Sequence, residues 1–155
     1  MKCFAFVFLL ATLVPLRAAD PPGVVHLSND TLKAFQKSLA PKIDAHKVAT
    51  ERLGNFGNHS LMVVHREGDG EAEVHETQAD IFIIQTGEAT VAVGGSVLEG
   101  KTTAPGEIRG RAIQGGERKN LSAGDMVHIP ANVPHQVLVA KGKHLTYVIV
   151  KIDSK

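Results

Sequence analysis

Cysteine is almost missing from this 155-residue chain, which has a single one, Cys3. Cys3 opens an apolar run to Val14 behind a short positive start, Met1-Lys2, and Leu16-Arg17-Ala18-Ala19 ends in small residues suited to cleavage before Asp20. That is the pattern of a secretory signal peptide over residues 1–19, and it implies a secreted or periplasmic home. Cleavage would remove Cys3, leaving no disulfide and no thiol nucleophile in the mature chain. Stability must then come from the core, helped by any bound metal.

Long hydrophobic runs are missing too. The leader run falls short of the roughly 20 residues a membrane span needs, and no other segment competes, so no span is expected after cleavage. An excess of charge is also lacking: without Lys2 and Arg17 the chain keeps 15 basic against 16 acidic groups, and its net charge moves from +1 to −1. A basic nucleic-acid surface is therefore not indicated, and no nucleic-acid partner is expected. There is no Gly-x-Ser-x-Gly elbow and no phosphate loop. No longer repeat stands out, which argues against a duplicated, two-domain architecture.

What is present divides into the leader (1–19), a lead-in with a short helix (20–47) and a β-barrel domain (48–155). Pro21-Pro22-Gly23 marks an extended start, after which Ser28, Asn29 or Asp30 caps a helix whose Leu32, Phe35 and Leu39 form one stripe. Pro41 limits it. Leu61 to Val64 within Ser60–Arg66 reads as a buried strand, followed by a Gly68-Asp69-Gly70 turn. Ile81 to Ile84 is a second run, ending near Gly87; Thr90 to Val93 is a third, closed by Gly94-Gly95. Met126 to Ile129, Gln136 to Val139 and Leu145 to Ile152 complete the set. Many short strands, glycine turns and one N-terminal helix predict an all-β sandwich or barrel. Lys101 to Lys119, cut by four glycines and rich in charge, reads as a solvated surface excursion; the alternative is a cover over the barrel mouth, with Arg109 or Arg111 meeting an anionic ligand.

Glu73 and His75 stand two apart, so on a strand both side chains leave the same face, where they can grip one metal ion. Further candidate ligands lie on later segments, which antiparallel strands can fold back to meet them. Four residues separate His75 from Asp80 and six separate Asp80 from Gly87; Gly124, Pro130 and His135 follow with a matching cadence. Imidazoles with carboxylates suit a divalent ion such as manganese, iron, zinc or nickel. Glu76 points to the opposite face. His65 is a candidate cavity residue from the preceding strand and His128 a neighbour of the second group, although a local hydrogen bond accounts for either.

Here the sequence resembles the cupin superfamily. Its first motif normally carries His-x-His, a Glu a few residues later and a closing Gly; its second carries Gly, Pro, often another Gly, and a final His. Glu73-Val74-His75, Asp80 and Gly87 fit the first, with Glu73 in place of the first His and Asp80 in place of Glu. Gly124 to His135 fits the second closely, apart from Asn132 in place of the common Gly. The resemblance spans about residues 60 to 150 and implies a double-stranded β-helix, or jelly roll, with Glu73, His75, Asp80 and His135 as metal ligands inside the barrel. Both substitutions keep a metal-binding atom and harden the site toward oxygen-preferring ions.

Two functions follow from that resemblance: a secreted metalloenzyme, of oxygenase, isomerase or lyase type, acting on a small oxygen-rich molecule, or a non-catalytic module binding a small carbohydrate or organic acid. Single barrels often cover exposed strand edges by pairing, so a homodimer is the expected assembly. Asn29, Asn58 and Asn120 each open an N-x-Ser/Thr pattern.

Overall fold

The computed structural model describes residues 21–154, and the leader reading lies outside them. The helix forms where its signals stand. Ser28 caps α1 (Asn29–Leu39) by accepting the Thr31 N–H at 3.1 Å, and Pro41 falls in the short 3-10 turn Ala40–Lys42 that ends it. The α1 stripe buries Phe35 and Leu39 against Ala49 and Val63.

The strands are β1 (Val48–Asn55), β2 (His59–Arg66), β3 (Ala72–His75), β4 (Gln78–Val93), β5 (Ser96–Leu98) and β6 (Lys101–Ala104). β7 (Glu107–Gly110), β8 (Ala112–Gln114), β9 (Glu117–Ser122), β10 (Met126–Ile129), β11 (His135–Leu138) and β12 (Leu145–Asp153) complete them. The pairings are antiparallel. One layer runs β1-β2-β12 to the first half of β4, where β10 also joins; the other runs from the second half of β4 through β11, β3 and β7 to β6, with β9 on β4 as well. β5 and β8 form a separate ribbon.

The two runs expected at Ile81–Ile84 and Thr90–Val93 belong to the one 16-residue strand β4. Its first half pairs with β12, and its second half with β11 and β9. Between them Thr146 faces Thr86 while Tyr147 faces Ile84, so Gln85 is an extra residue on β4, and Gly87 takes φ +83°. A bulge and a left-handed glycine bend a strand without ending it, which lets β4 pass from one layer to the other. Side-chain alternation then fills the space between layers: Val64, Phe82, Ile84, Tyr147 and Ile149 from the first meet Val91, Leu121 and Val137 from the second. This is an all-β jelly-roll barrel with a short N-terminal helix on its outside.

The stretch Lys101–Lys119 lies at the surface as expected, with only Ile113 buried, but it is regular rather than irregular. The stretch is built of β6, β7, β8 and most of β9, and its glycines make the turns between them: Gly106 at φ +74°, Gly115 and Gly116 at +76° and +74°. Charge on these strands reflects faces turned to solvent or toward the site, which composition does not separate from a loop.

Candidate metal centre

The two layers bring the site together by register. On one, His135 at the start of β11 lies directly across from Glu73 on β3, with His75 on the same face as Glu73. On the other, Asp80 at the start of β4 lies across from Lys151 near the end of β12. Glu73, His75 and His135 each offer a ligand atom within 4.8 Å of the others. Asp80 Oδ2 stands outside that group of three but lies 3.3 Å from His75 Nε2 and 3.6 Å from His135 Nε2. Glu73 carboxylate oxygens stand 3.8 Å and 3.6 Å from the same two nitrogens.

Both imidazoles are oriented from behind. His75 Nδ1–H donates to the Glu107 carboxylate at 2.8 Å, and His135 Nδ1–H donates to the Val133 carbonyl at 3.0 Å. Each bond leaves the Nε2 lone pair facing the cluster. His135 Nε2 is buried and has no hydrogen-bond partner among the described residues. A buried lone pair without a donor is costly unless something electrophilic meets it. With two imidazole nitrogens and two carboxylates converging, the donor set fits a divalent transition ion. Arg109, across from Glu73 on β7, holds that carboxylate at 2.8 Å.

The turn between β10 and β11 is fixed to the same strand. Asn132 takes φ +65°, donates its backbone N–H to the His75 carbonyl at 2.8 Å and its Nδ2 to the Glu76 carbonyl at 3.1 Å. Asparagine is among the few residues with a side chain that tolerate this conformation, which accounts for its place where the motif commonly has glycine.

Lys151 reaches into the cluster. Its Nζ lies 2.8 Å from His75 Nε2 and 2.9 Å and 3.2 Å from the two Asp80 oxygens. Burial works to raise the Asp80 pKa, but the adjacent His135 and His75 rings and the Lys151 ammonium outweigh it and hold the carboxyl well below its ordinary range. For His75, burial and the Lys151 charge oppose the imidazolium, yet the Asp80 hydrogen bond and the charges of Asp80 and Glu73 prevail and raise its pKa above 6.5. The short Nζ–Nε2 contact belongs to the neutral ring, whose lone pair accepts from the ammonium. Burial pushes the Tyr147 hydroxyl up, against the pull of Arg66.

Of the residues singled out in the sequence, Glu73, His75, Asp80 and His135 converge, and Arg109 joins them through Glu73 rather than as a free cation. Arg111 is turned away, paired with Glu99 at 2.8 Å on the surface. His65 is corrected as a cavity residue: it shares its strand face with Val63, which packs under α1, while Val64 points into the barrel. Its ring nitrogens meet Thr146 at 2.8 Å and Glu67 at 3.2 Å. Glu76 and His128 are exposed.

Two functional residues escaped the sequence reading. Lys151 follows Tyr147 and Ile149 in the same alternation and so was bound to point inward, a signal available in the sequence. Glu107 gave none, because only the β3–β7 register places it across from His75.

The fold and site define a small single-domain barrel with an interior histidine–carboxylate cluster. No family model and no curated protein matches the sequence. Solved structures do match in fold. TT1209 from Thermus thermophilus aligns with a TM-score of 0.55 at 20% identity, over 77% of this chain and 94% of that one. The DMSP lyase DddQ from Ruegeria pomeroyi aligns with a TM-score of 0.50 at 17% identity, over 68% of this chain and 47% of its own. An oxalate oxidase gives a TM-score of 0.51 at 16% identity, over 71% of this chain and 53% of its own. The chain thus spans about half the length of those two enzymes. Both motifs fall on the two halves of the barrel, and these neighbours, none above 20% identical, share its fold.

Proposed function

We propose that this protein is an exported metallocupin in which Glu73, His75, Asp80 and His135 hold a divalent transition metal (manganese, iron, zinc or nickel) and which acts on a small oxygen-rich molecule. The observation that carries the reading is the convergence of two pre-oriented Nε2 lone pairs with two carboxylates, one of those lone pairs, on His135, being buried without a donor. A bound ion would supply Lewis-acid polarisation of a substrate oxygen. The chain's own part is positional. Glu107 and the Val133 carbonyl fix the two rings, Arg109 steadies Glu73, and the edge of Phe82, 6.2 Å from His135 between ring centroids, screens the site from water below. Two enzymes among the neighbours in fold, one named for oxalate and one for DMSP, support a small oxygenated substrate.

A second reading, capture of an organic acid without turnover, is favoured by Lys151, a cation at the cluster able to meet a carboxylate. Metal analysis of the untagged mature protein tests the first premise. About one transition ion per chain, lost in His75→Ala and His135→Ala, is expected on a four-ligand site; no ion, with both variants behaving as wild type, sinks it. Oxygen consumption and organic-acid or sugar conversion by the metal-loaded form then separate the two, since saturable binding without turnover leaves only the capture reading standing.

A further inference from the structure

Lys151 is the one interior residue of the cluster that neither the motifs nor the metal reading uses. Alternation along β12 sends Leu145, Tyr147 and Ile149 into the barrel core, and Lys151 continues that face beyond the core's edge. Its cross-strand partner is Asp80, so the antiparallel register rather than side-chain chance puts the ammonium at the ligand atoms. The side chain of Asp80 is 2% exposed, and its nearest full positive charge is Lys151 at 2.9 Å. An unpaired carboxylate buried to that degree is strongly disfavoured, so without a cation the site would not keep its charge.

We infer that Lys151 is a tethered cation that competes with the divalent ion for this site: its ammonium engages His75 Nε2 and Asp80 in the metal-free protein, and loading requires it to swing out. This rests on the proposed metal site and adds how that site is regulated. The contacts are mutually exclusive, because the His75 lone pair that accepts from Nζ at 2.8 Å is the one an ion would take, and an ion beside the ammonium would face its full charge. A way out exists. The Lys151 side chain is 19% exposed and borders an open groove of about 220 Å³ also lined by Arg52, Gln78 and Asp153, whose Oδ1 accepts from Gln78 Nε2 at 2.7 Å. Asp153, two residues along the same strand, offers a carboxylate to the released ammonium in that groove. The site is therefore a cation exchanger, and its affinity is set below what its four donors alone would give.

Zinc and manganese affinities of the untagged protein, measured by chelator competition, test this with Lys151→Met, Lys151→Gln and Lys151→Arg. The Met and Gln variants should bind about tenfold or more tightly than wild type, whereas Arg, which keeps the charge, should not. Their metal-free melting temperatures should fall and their metal-induced rise should exceed that of wild type, a pairing that loss of packing alone would not produce. Wild type and folded Met and Gln variants binding equally well would overturn the inference and leave the metal site intact; no binding by any of them would overturn both. Binding only after the charge is removed would support the competition while showing that the native chain works without metal. On wild type itself, zinc should speed acylation of Lys151 by an amine-reactive ester, read by peptide mass spectrometry, and an unchanged or slower rate would overturn the proposal even if the variants fail to fold.

Discussion

Single positions carry most of the precision of this barrel, and Gly87 and Glu107 show two ways of doing so. Gly87 sits at φ +83°, and a Cβ there would run into the His144 carbonyl oxygen. Gly87→Ala combines a backbone penalty with a steric clash, so it should destabilise the fold by about 2 kcal/mol or more in urea unfolding. Glu107 touches no proposed ion, yet it fixes which His75 nitrogen faces the site. Glu107→Ala should weaken zinc affinity by about 10- to 100-fold in chelator competition, with little change in far-UV circular dichroism. The two differ in legibility. Gly87 was visible as the closing glycine of a motif, although it bends β4 rather than ending it. Glu107 sits 32 residues from His75, and only pairing between strands brings the two together. Parity could have found Lys151 and excluded His65, because both questions reduce to which strand face a residue shares with its apolar neighbours.

At the level of elements, the β10–β11 turn and helix α1 have separable tasks. The turn delivers His135 and is tied to β3 through Asn132, whose left-handed backbone and two hydrogen bonds set its course. Asn132→Gly should keep the conformation and cost less than about 1 kcal/mol, whereas Asn132→Val, β-branched at positive φ, should cost about 1–2 kcal/mol and also weaken metal binding. Calorimetry beside metal titration would read both; equal effects from the two substitutions would refute a conformational role for this position. Helix α1 packs on the outside of the barrel, so its contribution is to stability alone. Leu39, 1% exposed, should cost about 2–4 kcal/mol on replacement by alanine, with metal stoichiometry unchanged. The cap and stripe of α1 could be read from residues a few positions apart. The strands of 101–122 could not, since their charged faces carry no apolar alternation strong enough to tell a partly solvated strand from a loop.

For the molecule as a whole, the site's ionisation couples folding, metal and pH. Asp80 is held below its ordinary value of 3.8, so its share of stability is present above that pH and is lost only as pH falls through the lower folded value. His75 is raised above 6.5, so its share is complete below pH 6.5 and is lost as pH rises through the folded value. The metal-free protein should therefore gain most from this pair between about pH 4 and 6.5 and weaken above. Metal binding runs the other way. An ion takes the His75 lone pair only when the proton is gone, so affinity should climb by up to about tenfold per pH unit until the ring's folded pKa is passed, then level off. Melting curves from pH 5 to pH 9, with and without zinc, should thus diverge: the metal-free midpoint declines across the alkaline side while the zinc-induced rise grows. Replacing His75 by glutamine removes the titrating ring and should flatten the alkaline decline of the metal-free midpoint. If that decline persists in the variant, the controlling proton belongs to another group of the cluster.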